Sequence, residues 1–302
     1  MDLPISHREL NLDYTLGCGQ AFRWRKQADG SWAGIIPGRY VRLRQRADGI
    51  ECLVIPDDDW RKVLERYFRL DVDLAAVRRE LAERDAHMGH LLEQFSGLRL
   101  LKQDPTETLL SFICSAANSI PRIEVSVEKL SLAYGRRICV LDGVCYHEFP
   151  SLDVFTKEQP HSVNCVAGLG FRCKTLNRVA AHLSDRPSGW LDSLSELPYE
   201  DAKRELVGIY GVGEKIADCV CLFGLAKDEA VPVDTHVRRL TQRLYLLDTT
   251  IKTVTPKLYR RISDFFREHF GRYAGWAQQY LYYEDLLGSR ESRSRGWNKI
   301  ME

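Results

Sequence analysis

Apolar and polar residues alternate in short segments from Gln20 to Ile55: Phe22 and Trp24, Trp32 to Ile36, Tyr40 to Leu43, and Ile50 to Ile55. Ala28-Asp29-Gly30, Pro37-Gly38-Arg39 and Ala47-Asp48-Gly49 separate them, and turn residues at this spacing predict an antiparallel meander. Beyond Asp57 the apolar spacing becomes helical, beginning with Trp60, Val63, Leu64, Tyr67 and Phe68, and helical signals run to the end of the chain. The change falls within 56–100. It predicts an α+β protein with an N-terminal antiparallel β domain and flanking helices over 1–100 and a helical domain over 101–302. The Arg-rich tail after Gly288 is polar and is expected to fray.

Two helical regions are marked sharply. Asp104-Pro105-Thr106-Glu107 sets a capping aspartate, a proline at the first helical position and a glutamate three residues after the cap, followed by the apolar run Leu109 to Ala117. Further on, a helix from Tyr199 to Gly208 meets the hairpin 209–213, and a second helix from Glu214 carries Ile216, Ala217, Val220, Phe223 and Gly224 on one face.

The 302 residues, 44% of them hydrophobic, can bury more than one core, because single cores stop growing near ~250–300 residues. Asp2, His7, Arg8 and Glu9 interrupt the stretch in which a secretory signal would be apolar, and no segment approaches the roughly 18 apolar residues of a membrane span. A soluble, intracellular protein is expected. The nine cysteines are an odd set without a C-x-x-C pair, which argues against a disulfide framework, a zinc site or an iron–sulfur cluster. A formal net charge of +1 neither announces nor excludes nucleic acid, so any DNA-binding face must be a local concentration of Lys and Arg.

The candidate chemistry lies around the hairpin. Gly211 and Gly213 are expected to take positive φ and to bring backbone N–H groups at the next helix's start close to a phosphate. A tight helix connection without a ligand explains the glycines alone equally well. Lys215 stands in the first turn of that helix, where the positive end of the dipole disfavours its charged form and leaves more free amine for attack on carbon. The plainer alternative is a solvated lysine near Asp218. Asp234 closes Ala230-Val231-Pro232-Val233 and opens the helical segment Thr235 to Tyr245, so it is an N-cap that can also face a cleft.

The stretch Y-G-V-G-E-K-I-A-D-C-V-C-L followed by A-V-P-V-D-T-H resembles the helix-hairpin-helix DNA glycosylases, specifically the 8-oxoguanine glycosylases with AP lyase activity. T-L-G-C-G-Q-A-F-R-W from Thr15, R-L-L-K-Q-D-P at 99–105, S-F-I-C-S from Ser111, G-L-G-F-R from Gly168 and A-G-W-A-Q from Ala274 extend the resemblance over nearly the whole chain. It implies a β domain packed on two helical subdomains, with the lesion pocket between the helical parts. It further implies a monomer that acts without cofactor or metal on double-stranded DNA containing 8-oxoguanine, in a nucleus or a bacterial cytoplasm.

By the same resemblance Lys215 attacks C1′ of a flipped nucleotide to form a Schiff base, and Asp234 supports it. The Gly19 carbonyl recognises N7–H of the oxidised base, Cys219 and Tyr282 sandwich it, Gln278 reads its Watson–Crick edge, and His236 lies near the lesion nucleotide. Phe171 fills the gap left in the stack, and Arg122 and Arg172 contact the orphan base. The plainer roles are core packing for Cys219 and Tyr282, a strand-entry glycine for Gly19, phosphate binding for the arginines and a structural histidine for His236. Ala117 and Ser119 occupy positions where animal enzymes have asparagines, which predicts a weaker preference for cytosine opposite the lesion. Two other functions remain: an alkylated-base glycosylase on the same scaffold, which would lack the lysine, and a lesion-binding module without turnover.

Overall fold

The computed structural model describes residues 1–247 and 253–301, with side chains through Gly288, so the expected fraying of the tail falls on side chains outside those described. The alternating segments pair as predicted. A five-stranded antiparallel sheet has the order β1-β5-β4-β3-β2, with β1 (Asp2–Leu3), β2 (Trp24–Lys26), β3 (Trp32–Ile36), β4 (Arg39–Gln45) and β5 (Ile50–Ile55). Gly38 turns β3 into β4 at φ +74°, a conformation closed to most residues. Gly49 serves space instead, since a Cβ there would lie 2.6 Å from the Leu3 carbonyl oxygen where β1 joins the sheet.

The inner face of the sheet buries Ile36, Val41, Leu43, Ile50, Cys52 and Val54 against α1 (Leu12–Gly17) and α2 (Trp60–Tyr67). Trp24 lies on Gly34 so closely that a Cβ would come within 2.4 Å of its ring, and its Nε1 donates to the Tyr67 hydroxyl at 2.8 Å. The outer face is covered too, which explains why W-A-G-I-I in β3 is apolar throughout. Its cover is a hairpin of β6 (Arg137–Leu141) and β7 (Val144–His147), whose Tyr146 ring packs 4.3 Å from that of Tyr40. This hairpin interrupts the region where only helices were predicted. Its turn is Asp142-Gly143, with φ of 52° and 78° as a two-residue hairpin demands.

The helices form two groups around a shared apolar core. The first contains α3 (Leu74–Arg84) and α4 (Ala86–Gln94). The second runs from α5 (Pro105–Cys114) and α6 (Ile120–Tyr134) through α7 (Leu152–Lys157), α8 (Pro160–Ala167), α9 (Arg172–Ser184) and α10 (Trp190–Ser193) to α11 (Tyr199–Val207) and α12 (Glu214–Phe223). The chain then returns to the first group with α13 (Thr235–Tyr245), α14 (Pro256–Phe270) and α15 (Ala274–Met301). Among the described residues no helix is long and apolar enough to cross a membrane.

Asp104 caps α5 as predicted, accepting from the Glu107 amide at 2.7 Å. The helix nevertheless stops at Cys114 rather than running to Ala117: Ser115 and Asn118 side chains bond back to the carbonyls of Phe112 and Cys114, and Ala117 turns to φ 51°.

Where α15 crosses the segment after α12, the Gly275 amide donates to the Asp228 carbonyl at 2.7 Å. A Cβ at Gly275 would fall 2.5 Å from the Ala230 carbonyl oxygen and 2.4 Å from Leu222 Cδ1. Gly275→Ala should therefore destabilise the protein by about 1–3 kcal/mol, the usual cost of overpacking. Urea unfolding checks this, and an unchanged midpoint would show that the crossing relaxes freely.

Candidate active site

The hairpin between α11 and α12 is closed by the Val212 amide donating to the Ile209 carbonyl at 3.0 Å. Gly211 has φ +83°, and a Cβ on it would come within 2.5 Å of Thr175 Cγ2 on α9. Gly213 differs from expectation: at φ −88° and ψ 173° it is extended, a conformation open to any residue, and nothing lies within 4 Å of its Cβ position. Its value is the uncovered approach it leaves to the first-turn N–H groups of α12.

Lys215 is half-buried at the start of α12. Its Nζ stands 3.5 Å from Ser115 Oγ and 5.1 Å from the centroid of the Phe112 ring. Asp218 is not its partner. That carboxylate is fully buried and faces the other way, accepting from Lys203 Nζ at 2.9 Å, from the Tyr199 hydroxyl at 2.6 Å and from the Tyr259 hydroxyl. Burial pushes the Asp218 carboxyl up while Lys203 and the two tyrosines pull it back. The Tyr259 hydroxyl also lies 3.3 Å from the Val231 carbonyl and 3.4 Å from the Val233 amide, so it links α12 to the segment that delivers Asp234.

Asp234 is the N-cap of α13, accepting through Oδ1 from the amides of His236 at 2.8 Å and Val237 at 2.9 Å. Cys219, one turn beyond Lys215, lies within electrostatic reach of both Lys215 and Asp234. Burial pushes its thiol up to about 12 against the pull of Lys215. It is a neutral, polarisable surface rather than a nucleophile. Lys215 thus comes from one helical group and Asp234 from the other, and the Tyr259 hydroxyl ties the two elements that carry them together at the seam.

Gly19 takes φ +80°, and its Cβ position is 3.7 Å from the Tyr282 ring and 2.9 Å from Ile120. Its flanks are pinned: the Cys18 carbonyl accepts from Gln279 Nε2 at 3.0 Å, and Gln20 Nε2 donates to the carbonyls of Thr15 at 2.9 Å and Arg99 at 2.8 Å. One turn before Tyr282 on α15, Gln278 is buried, and its Oε1 has no hydrogen-bond partner among the described residues. His236 stacks edge-on to Tyr282 at 5.5 Å and shares its Nδ1 with Asp285 Oδ2 at 2.6 Å. Asp285 escaped the sequence reasoning, as did Ser115, Lys203, Tyr199 and Tyr259.

Phe171 is 66% exposed at the start of α9, with the Arg172 guanidinium 4.7 Å from its ring centroid. Arg172 was expected to reach the orphan base. All three of its guanidinium nitrogens donate to backbone carbonyls, those of Leu169, Ala116 and Ala117. Arg122 is exposed at the start of α6.

Residues 2–109 match the family description "8-oxoguanine DNA glycosylase, N-terminal domain". The chain is 34% identical over 312 aligned residues to the N-glycosylase/DNA lyase OGG1 of Arabidopsis thaliana, covering 99% of this chain and 85% of that protein. It is 33% identical to the N-glycosylase/DNA lyase of Saccharomyces cerevisiae, covering 99% and 91%. The 8-oxoguanine glycosylase/lyase of Clostridium acetobutylicum, solved with double-stranded DNA containing cytosine opposite 8-oxoguanine, superimposes with a TM-score of 0.84 at 31% identity over 93% of each chain.

Removing the Asp218 carboxylate would leave Lys203 without its buried counter-charge, and breaking a buried pair in this way costs about 3–5 kcal/mol. Asp218→Ala should lose that much stability in denaturant titrations. Tyr259→Phe, which deletes only the shared hydroxyl, should lose about 1–3 kcal/mol. Wild-type stability in both variants would remove the network from the account of how the site is held.

Proposed function

Because the chain belongs to the family of 8-oxoguanine DNA glycosylases with lyase activity, we propose that Lys215 is its nucleophile and that Asp234 stabilises the sugar cation formed as the base departs. The protein is a bifunctional base-excision repair enzyme: it removes 8-oxoguanine from duplex DNA and cleaves the strand. The single observation that carries the residue assignment is that the Tyr259 hydroxyl, bonded to Asp218 of α12 and to the segment ending at Asp234, ties the element bearing Lys215 to the one bearing Asp234.

In this reading the free amine of Lys215 attacks C1′ of the flipped nucleotide, and the glycosidic bond breaks with its electrons leaving on the base, which takes up a proton. The sugar ring opens, its ring oxygen is protonated and the C1′–N bond becomes a protonated imine. That imine acidifies C2′–H. Loss of the C2′ proton breaks the C3′–O bond, the 3′ phosphate leaves, and water releases the lysine.

The neutral Cys219 thiol and the Tyr282 ring offer two faces for the base, with Gln278 Oε1 as an acceptor for its Watson–Crick edge and the Gly19 carbonyl for N7–H. Guanine has a lone pair at N7, and that carbonyl would repel it. His236, held by Asp285, lies beside the lesion nucleotide. Phe171 fills the vacated stack, and the hairpin at Gly211 and Gly213 receives a backbone phosphate. The enzyme works as an intracellular monomer without a cofactor. An alkylated-base glycosylase would act through water and the aspartate alone and would leave Lys215 unexplained.

Lys215→Gln should abolish the covalent adduct that borohydride traps with an 8-oxoguanine duplex while the variant still binds it; an adduct at the wild-type level would refute the assignment. Asp234→Asn should slow single-turnover excision roughly a hundredfold, within the ~10²–10⁴ of a positioned acid or base. Its stability should fall less, because asparagine also caps a helix. An undiminished rate would reduce Asp234 to a cap.

Opposite the lesion, Ala117 presents a methyl group, and the Arg172 nitrogens are engaged with the loop's own carbonyls. Arg122 and the one Arg172 N–H not so engaged are left to donate to cytosine, so preference for cytosine should be shallow. Ala117→Asn should steepen it, since a good polar contact discriminates by about 1–3 kcal/mol. The substitution should not cost stability, because asparagine tolerates the left-handed φ of 51° better than alanine does. Excision rates from four duplexes differing in the opposite base decide the matter; a steep preference unaltered by the substitution would contradict it.

A further inference from the structure

The face of α9 that begins with Phe171 continues toward the hairpin. Phe171, Lys174, Thr175 and Arg178 are spaced i, i+3, i+4 and i+7 and therefore line one side of the helix. Phe171, Lys174 and Arg178 are exposed, and Thr175 is the residue against which Gly211 is pressed. Arg178 lies 4.4 Å from the centroid of the Tyr210 ring, which is itself 63% exposed at the tip of the hairpin. An aromatic ring so placed holds the guanidinium against the hairpin while leaving its donors toward solvent.

Lys174 and Arg178 have no ion-pair partner among the described residues. The arginines on the other sides of the hairpin do: Arg204 pairs with Asp201 at 2.7 Å and Arg260 with Glu214 at 2.7 Å. Lys174 and Arg178 therefore set a row of free positive charge beside the hairpin. It runs along α9, whose rise places Arg178 about 10 Å from Phe171. One DNA strand carries a phosphate about every 3.4 Å of axis, so that distance spans about three phosphates.

We propose that Lys174 and Arg178, the latter braced on Tyr210, form a phosphate-binding track that joins the wedge residue to the hairpin and grips the DNA backbone beside the lesion without reading its sequence. The track rests on the DNA-repair reading above and extends the interface beyond the residues named there. Its binding is uniform between damaged and undamaged duplexes. Its contribution appears in the salt dependence of affinity, because each neutralised phosphate releases counterions.

The test is fluorescence anisotropy with 8-oxoguanine and undamaged duplexes over a series of salt concentrations, all proteins carrying Lys215→Gln to prevent turnover. Arg178→Ala should make the slope of log affinity against log salt shallower by about 0.9, and Lys174→Ala with Arg178→Ala by about twice that. Affinity at low salt should fall severalfold, equally for both duplexes. Tyr210→Ala should weaken binding alone but add nothing to Arg178→Ala. Lys62→Ala, removing an 83% exposed charge on α2, should leave the slope as it was. A steep parental slope retained in the double variant, or an equal drop with Lys62→Ala, overturns the track while leaving the repair reading intact. A flat slope in the parent protein overturns both.

Discussion

A buried carboxylate in a helix of cysteines and aliphatic residues is the constraint from which the catalytic arrangement follows. Taking a charge out of water costs several kcal/mol even after relaxation, so Asp218 is tolerable only if donors reach it from neighbouring elements. Lys203 and Tyr199 come from α11 and Tyr259 from α14, while Arg267 backs Tyr199 at 3.1 Å. Satisfying that one group fixes α11, α12 and α14 relative to one another. It also fixes Lys215, less than one turn earlier on α12, and through Tyr259 the extended backbone that ends at Asp234. The network's worth lies less in net stability than in specifying a single geometry at the seam between the helical groups.

The β domain contributes by a similar device at the other wall of the site. Gln20 is buried and bonds to Thr15, Arg99 and Leu101, and Gln279 of α15 holds the carbonyl of Cys18. The Gly19 peptide between them has little freedom left. Adjacent residues of α15 divide the work: Gln279 clamps the loop, and Gln278 presents an oxygen with no hydrogen-bond partner among the described residues. A third element is the turn after α5, where Ser115 touches Lys215 and the next two carbonyls hold Arg172 beneath Phe171. Lys215 and Phe171 are thereby only a few residues apart in space, although 44 positions separate them in the chain, and 43 separate Lys215 from Arg172.

What was legible in the sequence was local. The meander follows from period-two alternation and turn residues, the caps of α5 and α13 from Asp104 and Asp234, and the hairpin from its glycines. The β6–β7 hairpin carried an equally local signal in Asp142-Gly143, flanked by Arg137 to Leu141 and Val144 to His147, but it was obscured by the helical patterns on either side. Other features depend on contacts that no local pattern encodes. The partners of Asp218 lie 15, 19 and 41 residues away, and the carbonyls that Arg172 occupies lie 55 and 56 residues away. The apolar run past Cys114 leaves the helix because the Ser115 and Asn118 side chains take the carbonyls of Phe112 and Cys114. Gly213 was assigned a left-handed turn because glycine permits one; the single left-handed residue this turn needs is Gly211.

On the proposed mechanism the amine at the seam, and not another of the chain's lysines, becomes covalently joined to the sugar. This is tested most directly by peptide mapping of the wild-type protein after reaction with an 8-oxoguanine duplex under borohydride, digestion of the DNA and proteolysis. Mass spectrometry should place a reduced sugar adduct on the peptide containing Lys215, with Lys203 and Lys227 unmodified. An adduct on any other residue, with Lys215 recovered intact, would contradict the account.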